Sequence, residues 1–159
     1  MIMEHVNDIH SGLNPTDVTR VVAPTSLGEL QRTIAEATRD GRGISICGGR
    51  HAMGGQQFGS GTILIDCRRL NRVIRFDAQA GIIEVEAGIQ WPDLMRWLRY
   101  NSSANQVWGI TQKQTGADRL TLGGALAANV HGRGLSLMPI VQDVESFTVI
   151  DAEARVLYC

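Results

Sequence analysis

Apolar residues recur along the chain at two spacings, one typical of helices and one typical of strands. Between residues 27 and 38 they fall on one helical face behind a capping box formed by Ser26 and Glu29. This pattern predicts a helix that ends at Gly41, since glycine commonly follows a helix C-terminus. A second helix is predicted where Pro92 fits a first turn and an apolar stripe follows it.

Shorter apolar runs between turn residues predict strands. They lie at residues 20–23, 44–47, 62–66, 73–77, 82–87, 144–150 and 155–158. Small residues predict a third, short helix at about 122–129, and the polar residues 101–120 predict a connecting loop. Residues 1–16 are polar and without period, so they predict a flexible N-terminal arm. The order of elements predicts an α+β fold over residues 17–159, a small β-α-β subdomain followed by a mostly antiparallel sheet flanked by helices.

Composition excludes several classes of protein. The 159 residues are 43% hydrophobic and 19% charged, which is typical of a globular domain, and the formal net charge of −1 argues against a nucleic-acid partner. No apolar run is long enough to span a membrane and no signal sequence is present, so a cytoplasmic protein without a membrane partner is predicted. The cysteines, Cys47, Cys67 and Cys159, lack the spacing of a metal site or a disulfide framework.

Two glycine-rich segments carry the candidate chemistry, and each contains a histidine. The first follows the strand at 44–47 as Gly48-Gly-Arg-His-Ala52, and the second runs from Thr121 to Gly132. Glycines let the backbone approach a ligand closely, so consecutive N–H groups can converge on an anion, and the start of a helix favours a phosphate. Either segment could instead serve only tight turns and close packing. Together they predict one large phosphate-bearing cofactor.

Two common phosphate-binding fingerprints are absent. Gly41-Arg-Gly43 has the first two glycines of the dinucleotide fingerprint but lacks the third, and no Gly-Lys-Ser/Thr sequence follows a glycine-rich turn. A Rossmann fold and a P-loop are therefore excluded.

Over about residues 18–158 the chain resembles the FAD-binding domain of the vanillyl-alcohol oxidase and para-cresol methylhydroxylase flavoproteins. Cytokinin dehydrogenases, alditol oxidases and decaprenylphosphoryl-ribose oxidases are related examples. The resemblance rests on several motifs in order, namely a strand-Pro-helix opening, Gly48-Gly-Arg-His-Ala-Met-Gly-Gly-Gln56, Leu64-Ile-Asp-Cys-Arg-Arg-Leu-Asn71, Val85-Glu-Ala-Gly88, Thr121-Leu-Gly-Gly124 and Asn129-Val-His-Gly132. It implies a PCMH-type FAD-binding domain.

The resemblance also implies which residues contact FAD. Backbone amides of the first segment would bind the pyrophosphate, and the second segment would supply further contacts. The implied cofactor-binding residues are Cys47, Gly48, Gly49, Arg50, His51, Ala52, Gly116, Thr121, Gly124, Ala128, Asn129, Val130 and His131. Two positions depart from the common pattern, because Arg50 stands where many relatives have glycine and Ala52 where many have serine.

The two histidines have alternative roles. His51 stands where covalent members of the family carry an 8α-histidyl bond to the flavin, and an imidazole nitrogen is a competent nucleophile for that bond. The alternative is a histidine that only packs against or hydrogen-bonds the flavin. His131 lies at a position near the flavin in the family, or else it only satisfies the last carbonyls of its own helix.

The implied activity is that of a flavin-dependent oxidoreductase. A hydride would pass from a C–H bond of a small-molecule substrate to flavin N5, and oxygen or another acceptor would reoxidise the flavin. No catalytic residue follows from the sequence, and the chain is expected to be truncated before the substrate-binding cap domain and to be inactive alone. The alternative is an FAD-binding or cofactor-free fragment without turnover. The last strands could present an unpaired edge for a homodimer.

Overall fold

The computed structural model describes residues 2–114 and 116–159. The chain divides into two compact units, one that reaches to Leu70 and includes Ser146–Cys159, and one of Asn71–Glu145. Helices and mainly antiparallel strand pairs occur together, which confirms the α+β class. In the described ranges, no helix is long and apolar enough to cross a membrane.

A parallel sheet of three strands forms the centre of the first unit. Its strands are β3 (Arg20–Val22), β4 (Ile44–Cys47) and β5 (Ile63–Asp66), in the spatial order β3-β5-β4. All four residues of the middle strand β5 are buried, which explains its continuous apolar run. Helix α1 (Leu27–Arg39) connects β3 to β4 and so completes the predicted β-α-β subdomain.

Helix α1 has the predicted ends, with one difference in its cap. The Ser26 hydroxyl accepts a hydrogen bond from the main-chain N–H of Glu29 at 3.2 Å. The Glu29 carboxylate accepts from the main-chain N–H of Thr25 at 2.6 Å, whereas a standard capping box would use the N–H of Ser26. Gly41 follows the helix with φ +61°, a left-handed conformation that stops the helix and favours glycine.

An antiparallel hairpin precedes the parallel sheet. Strand β1 (Glu4–Val6) pairs with β2 (Thr16–Val18), and Val6 and Val18 are buried in a cluster with Cys47 and Leu64. The structure differs here from the predicted flexible arm over residues 1–16, because residues 4–6 form a paired strand. Strands of three residues are too short for alternation to be visible in the sequence.

The second unit pairs a hairpin with two helices. Strand β6 (Val73–Asp77) runs antiparallel to β7 (Ile82–Val85), and α2 (Trp91–Tyr100) and α3 (Leu122–Ala127) follow. Pro92 lies in the first turn of α2, as predicted. Strand β7 and helix α3 are each two residues shorter than the ranges that the sequence predicts.

Helix α2 supplies half of the buried residues in the core of the second unit. The buried residues of this core are Ile89, Trp91, Leu94, Leu98, Ala125 and Ile140. Phe76 meets Trp97 and Trp108 edge to face, with ring centroids 5.5 and 5.3 Å apart. These contacts place Trp108 beside the core.

A last hairpin belongs to the first unit. Strand β8 (Thr148–Ile150) pairs with β9 (Val156–Tyr158), and β8 is shorter than the predicted strand because a 3₁₀ turn, Ile140–Asp143, and an irregular segment precede it. The turn of this hairpin lies on helix α1. Gln31 donates to the carbonyl oxygen of Ala154 at 2.9 Å, and Thr38 donates to that of Ala152 at 3.1 Å.

Candidate functional site

The first glycine-rich segment begins where β4 leaves the core. Cys47 is buried at the end of this strand, and the residues from Gly48 to Ala52 that follow are half-buried and lie in no regular element. We call residues 48–57 the histidine loop. A parallel strand thus delivers His51 and its neighbours to a loop, which is where ligands commonly meet open sheets.

Arg50 has an unusual backbone conformation within this loop. Its φ is +58°, in the left-handed region that glycine occupies without a steric penalty. The main-chain N–H groups of Arg50 and Ala52 donate no hydrogen bond to the residues that the structure describes. An L-residue held in such a conformation, beside donors without a protein acceptor, is typical of a ligand-binding turn.

A buried carboxylate lies behind the loop. Asp66 ends β5 and is 4% exposed, and it pairs with Arg68 at 2.5 Å and with Arg50 at 3.3 Å. Burial alone would raise the pKa of Asp66, but the hydrogen bonds and charge of Arg68, together with the charge of Arg50, lower it. Asp66 is therefore a buried, ion-paired carboxylate rather than a solvated one.

The charges of this cluster do not cancel. Two guanidinium groups, those of Arg50 and Arg68, face the single carboxylate of Asp66, which leaves one positive charge in excess. The buried Nε of Arg50 has no nitrogen or oxygen partner in the described part of the chain, and the guanidinium also donates to the Cys47 thiol. Arg50 is therefore tied both to Asp66 and to the end of β4.

Burial disfavours the thiolate form of the two cysteines near the loop. Burial raises the pKa of the Cys47 thiol, and the negative charge of Asp66 raises it further. Burial raises the pKa of Cys67 to about 11, with smaller contributions from Cys47 and Asp66. Both shifts favour the protonated thiol at neutral pH, and Cys47 packs in the core cluster with Val6, Val18 and Leu64.

The residues that hold the histidine loop from the N-terminal side were not predicted from the sequence. Residues 8–14, which we call the N-terminal turn, place the ring of His10 against His51, with 2.5 Å between His10 Nε2 and His51 Nδ1. Asn14 donates to the carbonyl oxygen of Met53 at 2.7 Å. The Asn, Asp, Ser, Gly and Pro content of residues 7–15 signals a turn, but its partner lies about forty residues away and leaves no local pattern.

The start of α3 does not offer the anion site that the sequence predicted. The N–H groups of Leu122 and Gly123 donate to the carbonyl oxygens of Ile89 and Ala87 at 2.9 and 2.8 Å. The N–H of Gly124 donates to the Thr121 hydroxyl at 3.3 Å. Because protein acceptors already satisfy these donors, the amides at this helix start are not free to bind a phosphate.

The other predicted residues of the second segment lie at or after the end of α3. Ala128 and Asn129 are exposed, Asn129 has φ +44°, and Val130 is half-buried. His131 is exposed, and its Nδ1 lies 2.9 Å from the carbonyl oxygen of Gly132 rather than near a carbonyl of its helix. The exposed Gly116 has φ +93°, a conformation that favours glycine. Their cofactor contacts remain predictions from the resemblance.

A parallel strand leads into a glycine-rich loop in which two guanidinium groups lie beside one carboxylate, and these features fit a phosphate-bearing cofactor. The model of the FAD-binding domain family matches residues 18–159. The chain belongs to this family of FAD-binding domains, and FAD is its cofactor.

The chain is similar to named oxidases and dehydrogenases. It is 28% identical to the L-gulonolactone oxidase of Mus musculus over 137 residues, which are 86% of this chain and 29% of that protein. It is also 28% identical to an L-gulono-1,4-lactone dehydrogenase of Mycobacterium tuberculosis, over 86% of this chain and 30% of that protein. The chain thus spans less than a third of the length of these relatives.

A solved structure of an alkyldihydroxyacetonephosphate synthase has the same fold. It superposes with a TM-score of 0.77 and 24% sequence identity, and the superposition covers 92% of this chain and 29% of that chain. This likeness concerns the fold, which confirms the FAD-binding domain architecture that the resemblance implied.

Proposed function

We propose that this chain is the FAD-binding portion of a flavin-dependent oxidoreductase. The bound flavin would accept a hydride at N5 from a C–H bond of a small-molecule donor and pass the electrons to oxygen or another acceptor. Family membership supports the cofactor, and the names of the relatives support the reaction class. The observation that carries the proposal is the histidine loop, where the amides of Arg50 and Ala52 donate to no described residue.

The histidine loop is the proposed site of the FAD pyrophosphate. The N–H groups of Arg50 and Ala52 would donate to phosphate oxygens, and the excess positive charge of Arg50 and Arg68 over Asp66 would attract the anion. The buried core around Cys47 holds the start of the loop in place. Pre-positioned donors bind an anion without the cost of ordering a loop.

His51 is the proposed point of covalent attachment of the flavin. It lies in the histidine loop two residues beyond Gly49, and its half-buried ring is held by His10. A covalent bond would keep the cofactor on the protein throughout turnover. His51 is then a residue of the cofactor site, and no acid–base role in substrate oxidation is assigned to it.

The absorbance spectrum of the purified protein, repeated after acid precipitation, tests both proposals. We expect yellow colour that stays with the precipitated wild type, and a His51→Ala variant that binds FAD but releases it in acid. His5→Ala is the matched control, because His5 is exposed and pairs with Asp17 away from the loop. Colour that acid releases from the wild type would refute the covalent bond alone, whereas a protein that never takes up FAD would refute the site.

A polyhydroxylated small molecule is the proposed electron donor. Two relatives are named for L-gulonolactone and L-gulono-1,4-lactone, which supports sugar lactones as the first compounds to try. Because the chain alone is expected to be inactive, the test uses the flavin-loaded longer protein of which this chain is the proposed FAD-binding portion. Anaerobic mixing of that protein with such a panel should bleach the flavin absorbance at roughly 450 nm. Bleaching by none of them, with dithionite still effective, would contradict this class of donor.

A homodimer is proposed through the last hairpin. Strands β8 and β9 pair with each other in a two-stranded sheet, and Phe147, Val149 and Leu157 are each about two-fifths exposed. Open strand edges with apolar neighbours favour pairing with another copy. Light scattering should give twice the monomer mass, and a Val149→Lys variant should be monomeric. A wild-type monomer at high concentration would rule the dimer out.

We also propose a cytoplasmic location, which rests on the sequence composition and on nothing in the geometry. Cell fractionation with an antibody against the protein tests it. Recovery in a membrane pellet or in the medium would contradict it.

A further inference from the structure

The N-terminal turn fixes one peptide plane inside the histidine loop. The main-chain N–H of Ile9 donates to the carbonyl oxygen of Arg50 at 3.1 Å, which sets the orientation of the peptide between Arg50 and His51. The peptide planes on either side of it carry the N–H groups of Arg50 and Ala52, the proposed donors to the pyrophosphate. Because each peptide is planar and only φ and ψ rotate between planes, a fixed middle plane restricts both of its neighbours.

A second contact fixes the histidine loop further along the chain. The side-chain amide of Asn14 donates to the carbonyl oxygen of Met53 at 2.7 Å and to the carboxylate of Asp8 at 2.8 Å. One side chain therefore joins the loop to the acid at the centre of the N-terminal turn. The bonds from Ile9 and Asn14 thus hold the loop at both ends of the segment that carries its proposed amide donors.

The N-terminal turn has hydrogen bonds of its own. Asp8 is 5% exposed, and its carboxylate accepts from the main-chain N–H groups of His10 and Ser11 at 3.0 and 2.6 Å. It also accepts from the Ser11 hydroxyl at 2.7 Å. Charge-assisted bonds of this kind are among the strong ones in proteins. Residues 48–54, by contrast, lie in no helix or strand, so the turn is the better-ordered partner of the two.

Gly55 lets the turn and the loop come into direct contact. Its φ is +72°, and a Cβ there would lie 2.9 Å from the Cβ of Asn14, closer than two such atoms pack. A larger residue at this position would push the turn away from the loop. Gly61 has the same φ of +72°, but a Cβ there would meet no atom within 4 Å. The two glycines therefore separate backbone strain from contact with the turn.

We propose that the N-terminal turn holds the histidine loop in the conformation that binds FAD, with Asn14 as the positioning residue. Asn14 acts through Met53 and Gly55 and makes no contact with the cofactor itself. A loop that is ordered before the cofactor arrives avoids the cost of ordering it on binding. This inference rests on the proposed FAD site. It extends that site to residues 8–14, which precede the residues 18–159 matched by the family model.

Two variants break the contact from opposite sides. Asn14→Ala removes the donor to Met53, and Gly55→Ala adds a Cβ where Asn14 lies. A loop that occupies its binding conformation about a tenth of the time binds roughly tenfold more weakly, and we expect this loss in both variants. The loss should lie in the association rate, because binding then waits for the loop to order. Loss of a direct contact with the cofactor would instead raise the dissociation rate.

Each variant has a matched control. Gly61→Ala imposes the same backbone strain as Gly55→Ala without a contact to the turn. Glu4→Ala removes a side chain that accepts from the main-chain N–H of Val21 at 3.0 Å, which ties the N-terminal segment to β3 and not to the loop. Both controls should associate with FAD at the wild-type rate.

Stopped-flow mixing of flavin-free protein with an FAD analogue that lacks the 8-methyl group measures both rates. This analogue cannot form a covalent bond through that methyl group, so its dissociation stays measurable whether or not His51 binds the natural cofactor covalently. Circular dichroism at the same temperature shows that each variant is folded. The two rate constants then decide whether the turn positions the loop or contacts the cofactor.

Amide hydrogen exchange in the flavin-free protein tests the contact by itself. The N–H of Ile9 donates to the loop, so its exchange with deuterium reports how often the turn and the loop separate. We expect roughly tenfold faster exchange of this N–H in Asn14→Ala and Gly55→Ala, and no change in the two controls.

The outcomes separate this inference from the proposed function. An unchanged association rate in either variant, or a loss carried by the dissociation rate, would overturn the role of the N-terminal turn while the FAD site stands. Unchanged exchange of Ile9 in both variants would overturn it as well. A folded wild type that takes up neither FAD nor the analogue would refute the FAD site and this inference together.

Discussion

Arg50 combines a backbone conformation that favours glycine with a side chain that only arginine supplies. Its φ of +58° carries a steric penalty of about 1 kcal/mol for a residue with a Cβ, and its guanidinium pairs with the buried Asp66. The resemblance identified Arg50 as a departure from a common glycine, and the structure supplies the physical reason for that glycine. The ion pair with Asp66 offsets part of this strain.

Two substitutions at Arg50 separate these effects. Arg50→Gly removes the charge and the strain, whereas Arg50→Ala removes the charge and keeps the strain. We expect urea unfolding to give the glycine variant a free energy of unfolding about 1 kcal/mol higher than that of the alanine variant. Both variants should bind FAD roughly tenfold more weakly, or about 1.4 kcal/mol, because both lose the same positive charge.

Arg75→Ala is the matched control. Arg75 is exposed, and its ion pair with Asp77 is long at 3.8 Å, so little besides a positive charge is lost. It should leave the affinity for FAD unchanged. Equal stability of the two Arg50 variants would show that the left-handed conformation is not strained, and unchanged FAD affinity would separate Arg50 from the cofactor site.

Single residues were predictable from the sequence where their chemistry is local. The glycines and the histidine of residues 48–52 stand next to each other in the chain, so their pattern was visible. Asp66 and His10 gain their roles from partners that are distant in sequence, and no spacing rule signals such contacts. The burial of Asp66 could have been inferred from the apolar run before it, whereas its pairing with Arg50 could not.

At the scale of elements, the N-terminal turn depends on a charged Asp8. Hydrogen bonds from Asn14 are the largest of the effects that lower the pKa of Asp8 below its ordinary value of 3.8. The folded state therefore favours the carboxylate, and its contribution to stability is complete above 3.8 and fades as the pH falls toward the lower folded pKa. We expect Asp8→Asn to lower the melting temperature near neutral pH.

The difference in melting temperature between the wild type and Asp8→Asn should shrink as the pH falls below 3.8. Asp17→Asn is the control, since Asp17 is exposed and pairs only with His5 in the described structure. A difference that stays constant down to low pH would mean that the charge of Asp8 does not stabilise the turn.

In helix α3, Gly123 allows close packing against Ala87, which is the alternative to close approach of a ligand. A Cβ on Gly123 would lie 2.9 Å from the Cβ of Ala87 and 3.1 Å from its carbonyl oxygen, so the helix start would have to move. Gly123→Ala should therefore lower the free energy of unfolding by roughly 1 to 3 kcal/mol in urea titrations.

Gly28→Ala in helix α1 is the matched control. Its Cβ would meet only the end of the Arg32 side chain at 3.6 Å, so it should raise stability by up to about 1 kcal/mol. A stabilising effect of Gly123→Ala would contradict the close approach of α3 to Ala87.

Helices and strands were predictable where the hydrophobic pattern is long or is bounded by turn residues. Short strands were harder to predict. Helix α1 and the buried strand β5 have strong periodic or continuous apolar signals, and both lie where the sequence predicts them. Strands β1 and β2 have three residues each and are defined by pairing with each other. The amides at the start of α3 are satisfied by residues of another part of the chain, which local helix rules do not anticipate.

For the whole molecule, the division into two units offers a way to locate the cofactor contacts. All three tryptophans, Trp91, Trp97 and Trp108, belong to the second unit, whereas the histidine loop belongs to the first. Tryptophan fluorescence therefore reports unfolding of the second unit alone, and far-ultraviolet circular dichroism reports both. The predicted cofactor contacts of the second segment lie in the unit that fluorescence reports. They are Gly116, Thr121, Gly124 and the residues from Ala128 to His131.

We expect FAD to raise the unfolding transition seen by both probes. A ligand at a hundred times its Kd adds about 2.7 kcal/mol to the free energy of unfolding, which for a chain of this size shifts the melting temperature by roughly 5 to 10 °C. Arg50→Gly should lose most of this shift at the same FAD concentration, because its affinity is lower. If FAD moved the dichroism transition and left the tryptophan transition in place, the second segment would not contact the cofactor, and the histidine loop would account for FAD binding by this chain.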